Sequence, residues 1–264
     1  MNAEIIKATI LGVVEGITEF LPVSSTGHLI LAGDLINFTG DAAKTFEVFI
    51  QLGAILAVVW MYREKVSSTI KGIGTKKTNR FLLNLLIAFL PAAFLGLLTH
   101  SLIKRYLFTA RTVAFALIVG GIAILVIERV IKKSAVRDVD DISFKQALGV
   151  GLAQTLSLFP GVSRAGATIM GAMCFGLERK VATEFSFFLA IPTMFAATSY
   201  DLLKTFHTLT VNDLPVFAVG FIVSFFSALF VIKAFLGFVT RHTFDSFAVY
   251  RIVFGAVILF YYVK

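Results

Sequence analysis

Charge is the first thing this chain has little of. Only 15% of its 264 residues are Asp, Glu, Lys or Arg, while 58% are apolar, against about 25% charged in ordinary soluble domains. With a mean hydropathy of +0.89, that scarcity excludes a protein whose main solvent is water. Cysteine is scarcer still. Cys174 is alone, so no intrachain disulfide can form, and its apolar setting reads as a small buried hydrophobe. Long polar stretches are missing as well. The longest connections, near residues 63–80 and 128–145, cannot enclose a core, which leaves a single transmembrane domain over 1–264. The amino terminus lacks a short apolar core with a small-residue cleavage site, since Glu15 and Glu19 interrupt its first apolar stretch. The first segment is therefore expected to stay on the protein.

The charges present are mostly positive, for a formal net charge of +8. Lys and Arg lie in short stretches between apolar runs, without the aromatic-interleaved basic patches of a nucleic-acid binder. Nucleic acid is thereby excluded as a partner, and a positive-inside membrane protein explains the balance. Membrane lipid is the expected surrounding, and association into a homo-oligomer is left open.

A spanning helix needs about 20 mainly apolar residues. Six stretches qualify, at about 46–62, 81–99, 112–130, 182–200, 214–236 and 245–263. Residues 4–36 and 144–176 do not fit as simple spans. Each holds an apolar run, a Pro/Ser/Gly break (Leu21 to Gly27 and Phe159 to Gly166) and a second short run. Proline removes a helix donor and disfavours helix at the residue before it, so each segment reads as helix, break, helix. At membrane depth such backbone survives only where protein or a wet cavity covers it.

A shift of 139 positions lays the two broken segments on each other without a gap. It pairs Gly12 with Gly151, Glu15 with Gln154, Phe20 with Phe159, Val23 with Val162, Ser24 with Ser163 and Gly27 with Gly166. The register continues through Ala43 and Ala182, Phe46 and Phe185, Phe49 and Phe188, and Lys65 and Lys204. An internal duplication follows, with halves at about 1–130 and 140–264. If both broken segments are re-entrant hairpins, three full spans separate them and the second copy is inverted. The expected fold is thus all-α and polytopic: six transmembrane helices plus two re-entrant helix-break-helix hairpins in an inverted-topology repeat.

That topology gathers Arg63, Lys65, Lys71, Lys76, Lys77, Arg80, Arg129, Lys132, Lys133, Arg137, Lys145, Arg179, Lys180 and Arg241 on one side. Mainly Lys44, Lys104, Arg105, Arg111, Lys204 and Lys264 remain on the other. Charge bias places the richer side in the cytoplasm and both termini outside.

The polar residues in the apolar segments form a constellation. Glu15 and Glu19, four apart, share one helix face. An ionised group near the bilayer centre costs about 2.5–3.5 kcal/mol, so a divalent cation, an arginine or a retained proton has to offset the pair. Past the break come Ser24, Ser25, Thr26 and Gly27, then a restarting helix with His28. A helix amino terminus with Ser or Thr caps presents N–H groups to a phosphate oxygen. His28, three residues beyond Ser25, can share its face as a general base or acid. The second copy supplies Ser163, Arg164, Gly166 and Thr168, with Arg164 at the register position of Ser25. An arginine fork binds phosphate bidentately and stays charged when buried, so Arg164 needs an anion from elsewhere. Glu47 and Gln51 could line the same cavity or simply open their helix. Lys233, Asp245 and Arg251 read as snorkelling side chains or local pairs near span ends. Gly12 and Gly16 are a small-residue pair suited to close helix packing.

The run EGITEFLPVSSTGHL at 15–29, with PGVSRAGAT at 160–168, closely resembles the undecaprenyl-diphosphate phosphatase family, also called the bacitracin-resistance family, of bacterial inner membranes. The resemblance covers essentially the whole chain. It implies a membrane hydrolase that converts a C55 isoprenoid diphosphate to the monophosphate carrier and inorganic phosphate, recycling the carrier for cell-wall synthesis. It implies a divalent metal, Mg2+ or Ca2+, held by Glu15 and Glu19. Ser25, His28, Glu19 and Arg164 become the expected catalytic residues, and Ser24, Thr26, Gly27, Ser163, Gly166 and Thr168 the expected substrate contacts. The second motif often reads SRSGAT; Ala165 stands here instead, so no hydroxyl acts at that position. Residue chemistry leaves two routes open: His28-assisted attack by Ser25, or direct attack by water. It also leaves a rival class, a lipid-carrier transporter or flippase, because inverted repeats permit alternating access.

Overall fold

A computed structural model describes residues 2–131, 135–205 and 213–262 of the chain. Lys132, Lys133, Lys264 and the side chain of Lys104, counted in the charge asymmetry above, lie outside the described part. Eleven α-helices follow in order: α1 (Asn2–Thr18), α2 (Ser25–Leu35), α3 (Asp41–Met61), α4 (Arg63–Lys71), α5 (Lys76–Tyr106), α6 (Ala110–Val130), α7 (Phe144–Gln154), α8 (Arg164–Cys174), α9 (Arg179–Thr205), α10 (Leu214–Val239) and α11 (Asp245–Tyr262). Six of them, α3, α5, α6, α9, α10 and α11, are long and apolar enough to cross a bilayer, and they contain the six stretches read from the sequence except for Tyr62, which follows α3, and residue 263, outside the described part. The protein is all-α and polytopic.

Local sequence explains where the helices begin. Thr75 accepts a hydrogen bond from the Thr78 amide at the start of α5, and Thr109 does the same for Thr112 at α6. Ser143 and Gln146 form a reciprocal capping box at α7. Each satisfies amides that a helix start would otherwise leave without partners.

Both broken segments stop and restart as the proline pattern requires. The two ends of each broken segment lie within hydrogen-bond reach of one another. Gln146 donates to the Phe175 carbonyl at 3.0 Å, and the Ala135 amide to Gly176 O at 2.9 Å. In the first segment Lys7 donates to Asn37 O at 3.2 Å. Cys174, expected to be a buried hydrophobe, is instead exposed. It ends α8, where the helix has emerged from between its neighbours.

Helices early and late in the chain interleave. α1 lies on α10 and α7 on α5, while α3 packs on α9 and α6 on α11. Gly12 and Gly16 permit the first contact, since a β-carbon at Gly12 would lie 2.7 Å from Gly220 O and one at Gly16 2.5 Å from Ser224 O. The α6–α11 crossing is reciprocal. A β-carbon at Gly121 would meet Ala248 O and Ile252 Cγ1, both at 2.7 Å, and one at Gly255 would meet Ala114 O and Ile118 Cγ1, both at 2.8 Å. Ala114, Ile118 and Gly121 each stand 134 positions before Ala248, Ile252 and Gly255. The two helices run antiparallel and exchange equivalent contacts, which is what a twofold axis perpendicular to both helices produces.

One end of the bundle is tied by ion pairs. Asp140 accepts from Lys65 at 2.7 Å and Lys77 at 2.9 Å, and Arg80 donates to Asp141 O and Ile142 O. Glu128, nearly inaccessible, receives Arg179 and the Phe244 amide. These contacts collect basic residues of the richer group at a single end.

Candidate active site

The two breaks meet inside the bundle. Ser24 adopts φ 70° and Ser163 φ 74°, each just before a restarting helix and at matched positions of the 139-residue register. Non-glycine residues rarely hold positive φ, and such strain is tolerated where the surrounding structure fixes it. The two restarts differ in their caps. Ser163 Oγ accepts from the Gly166 amide at 3.0 Å, whereas Ser24 makes no side-chain cap. The first-turn amides of α2 therefore lack a side-chain acceptor and face the site with the positive end of the helix dipole, a setting suited to an anion.

Ser25 opens α2. Its hydroxyl donates to Glu19 Oε2 at 2.5 Å, and the other carboxylate oxygen, Oε1, accepts from Arg164 Nη2 at 3.2 Å. The Glu19 and Arg164 side chains are only 9% and 10% exposed. A hydroxyl, a carboxylate and a guanidinium thus stand in line, two from the first broken segment and one from the second. Arg164 is further held by Ser186 O at 3.1 Å, Ser186 Oγ at 3.3 Å and the Met194 sulfur at 3.5 Å, and lies over the Phe20 ring. Among the described residues its Nε has no partner.

Glu15, one turn before Glu19, is completely buried, and among the described residues neither carboxylate oxygen has a hydrogen-bond partner. It lies within electrostatic reach of Glu19, Glu47 and Arg164. A buried carboxyl without donors is costly, and a divalent cation would offset that cost. Among the described residues no group of three or more His, Cys, Asp or Glu could hold a metal. Glu15, unpartnered and one turn from Glu19, nonetheless makes with it a two-carboxylate set that fits a divalent cation taking few protein ligands.

His28 does not reach Ser25. Its Nδ1 donates to Ser24 O at 2.8 Å, one turn back, and this turns Nε2 toward the Tyr250 hydroxyl at 2.6 Å. The ring is stacked on Phe254 with centroids 4.2 Å apart. Spacing along the helix placed His28 beside Ser25; the i−4 carbonyl bond and the α11 aromatics win instead. Thr168 is fully buried and spends its hydroxyl on Ser186 Oγ at 2.6 Å and on Arg164 O, so it steadies the residue that steadies Arg164. Gly27 packs toward Val113, Leu117 and Phe254, letting α2 approach α6 and α11. Ser24 is buried beside Ser25, and Thr26 is partly exposed.

Sequence reading missed Ser186, Met194 and Tyr250, which carry no local signal because their role exists only once α9 and α11 are packed. It misjudged Arg251, read above as snorkelling or locally paired. The residue is 1% exposed, deep between α6 and the two breaks, and bonded to backbone carbonyls alone. Glycines at 120 and 121 open the space that admits it.

The fold and this centre define a polytopic membrane protein with a buried serine–carboxylate–arginine site assembled from two helix breaks. Residues 8–257 match the family described as "Bacitracin resistance protein BacA". Curated relatives called undecaprenyl-diphosphatase are 58% identical over 97% of this chain and 93% of the protein from Nitrosomonas europaea, and 55% identical over 98% of both chains for Methylobacillus flagellatus. The chain belongs to the BacA family.

Proposed function

We propose that this protein is an undecaprenyl-diphosphatase that releases inorganic phosphate from the lipid diphosphate and returns the monophosphate carrier to cell-wall synthesis. The observation that carries the reading is the continuous contact Ser25–Glu19–Arg164, a nucleophile bonded to a base that is oriented by a third group. Glu19 takes the Ser25 proton as Oγ attacks the terminal phosphorus. The bond from that phosphorus to the bridging oxygen breaks, and the lipid monophosphate leaves with the electron pair. Glu19 gives that proton to the leaving monophosphate and is a base again. Water then attacks the phosphoserine as Glu19 accepts its proton, and the proton passes to Ser25 Oγ as the Oγ–phosphorus bond breaks and phosphate departs.

Arg164 and the free amides of α2 stabilise charge on the equatorial oxygens, where phosphoryl transfer needs it most. Glu15 and Glu19 would hold Mg2+ or Ca2+, which when bound neutralises the diphosphate. The geometry favours Glu19 over His28 as the base for Ser25. Ser163 and Gly166 shape the second helix start, and the lipid tail runs between helices into the bilayer.

The charge bias supports a bacterial inner-membrane location with the site opening to the outer face. The reciprocal α6–α11 crossing, the matched strained serines and the reunited hairpin ends support an inverted repeat with re-entrant hairpins.

Purified protein in detergent, given a polyprenyl diphosphate and Mg2+, should release phosphate, and chelator should abolish it. Absence of release with every divalent metal, together with lipid movement in proteoliposomes, would replace this reading with the transporter.

A further inference from the structure

The buried cation that the proposed chemistry does not use is Arg251. A guanidinium has five N–H donors in a fixed fork, and here each has a carbonyl. Nη1 donates to Pro22 O at 3.0 Å and Val162 O at 2.9 Å. Nη2 donates to Gly161 O and Ala116 O, both at 3.1 Å, and Nε to Leu117 O at 3.3 Å. No carboxylate forms an ion pair with it among the described residues. A residue placed only for charge would have found an acid; this one is placed for carbonyls.

The choice of carbonyls matters. Pro22 and Gly161 are equivalent positions of the 139-residue register, one in each break. Helix breaks leave carbonyls without amide partners, and inside a bilayer water cannot serve them. Arg251 satisfies the pair together. Its own counterpart across the α6–α11 crossing is Leu117, which also stands 134 positions earlier. One side chain near the pseudo-twofold axis therefore departs from the symmetry and binds both copies.

We infer that Arg251 is the positioning residue that sets the distance between the two breaks, and hence between Ser25 on the first and Arg164 on the second. Gly120 is its seat, because a β-carbon there would lie 2.8 Å from the Arg251 Cζ. The kinetic direction rests on the phosphatase reading; the structural coupling of the breaks does not.

The test compares wild type, Arg251→Lys, Gly120→Ala and Gly255→Ala in detergent, with kcat and KM per folded molecule and backbone hydrogen exchange over 19–28 and 159–168. Lysine keeps the charge but has too few donors for five carbonyls. Arg251→Lys should lose about 100-fold in kcat, the cost of roughly 1 Å of misplacement, with KM changed less than about threefold because ground-state binding is kept. Exchange should rise in both breaks at once. Gly120→Ala, which retains the arginine but displaces it, should reproduce both effects and serves if Arg251→Lys does not fold. Gly255→Ala loosens the same helix pair one turn along α11, chiefly against Ala114 O and Ile118, without entering the seat of the guanidinium, and should lower thermal stability without the fall in kcat.

Normal kcat in Arg251→Lys, exchange rising in one break only, or an equal kcat loss in Gly255→Ala would overturn the inference. If wild type releases no phosphate from any polyprenyl diphosphate, the enzyme reading fails while the exchange measurement still decides the role of Arg251.

Discussion

Replacing Glu19 by glutamine keeps the side chain's shape and removes its charge, which separates basicity from architecture. In the native site one carboxylate oxygen takes the Ser25 hydroxyl at 2.5 Å and the other takes Arg164 at 3.2 Å. The amide oxygen of glutamine can still accept one of these bonds but cannot carry away a proton. Loss of a general base costs about 10²–10⁴ in rate, or roughly 3–5 kcal/mol of barrier at 1.36 kcal/mol per tenfold. Breaking a buried ion pair by removing one partner costs about 3–5 kcal/mol of stability, and the retained amide oxygen should hold the loss at or below the lower figure. At saturating Mg2+, which offsets the ligand that Glu19→Gln also removes, Arg164 released from its carboxylate is free for the diphosphate, so KM should stay level or fall. Phosphate release per folded molecule, with thermal unfolding in the same detergent, reads both quantities. A Glu19→Gln enzyme within about threefold of wild-type kcat, or one whose only defect is a higher KM, would refute the assignment of Glu19 as base.

Two further outcomes follow from the same geometry. Ser25→Ala should abolish turnover to within the residual that charge stabilisation alone supports, and rapid acid quenching of wild type should trap phosphate on Ser25; full activity in the alanine variant ends the covalent route. At the ion-paired end of the bundle, outside the spans, burial opposes ionisation of Asp140, but hydrogen bonds and attraction from Lys65 and Lys77 outweigh it and hold its pKa below the usual value of 3.8. A depressed carboxylate adds stability that is full above its unfolded pKa and is lost as pH falls through the folded one. Asp140→Asn should therefore cost about 1 kcal/mol at pH 7 and nothing once the wild-type carboxyl is protonated, well below pH 4, as thermal unfolding across pH would show.

Much of this architecture is legible in the sequence. Runs of about 20 apolar residues can only be buried in lipid or a large core, so α3, α5, α6, α9, α10 and α11 were each found to within several residues at the ends. Pro22 and Pro160 marked the breaks because proline acts locally, on its own donor and the residue before it. Glu15, Glu19 and Arg164 stood out because charge in an apolar run is costly wherever the chain goes, and Ser25 because it follows the break where a helix restarts. Partnership was harder to read. His28 lies at a spacing that suits Ser25, yet a carbonyl one turn back and an aromatic pair on α11 claim its ring. Arg251 sits in an apolar helix much as a snorkelling arginine would, and only the packed bundle shows that five carbonyls, three of them made available by distant breaks, surround it. Ser186 and Tyr250 depend in the same way on helix packing, which leaves no trace in their own neighbourhood.

A base on the first broken segment and a guanidinium on the second should act as one unit on a lipid diphosphate. A double-mutant cycle of Glu19→Gln and Arg164→Gln, read as kcat/KM for phosphate release from a polyprenyl diphosphate, tests it most directly. Residues that act together lose non-additively, so the double variant should be no more than about threefold slower than the slower single. Losses that simply multiply would show two independent residues and contradict the account.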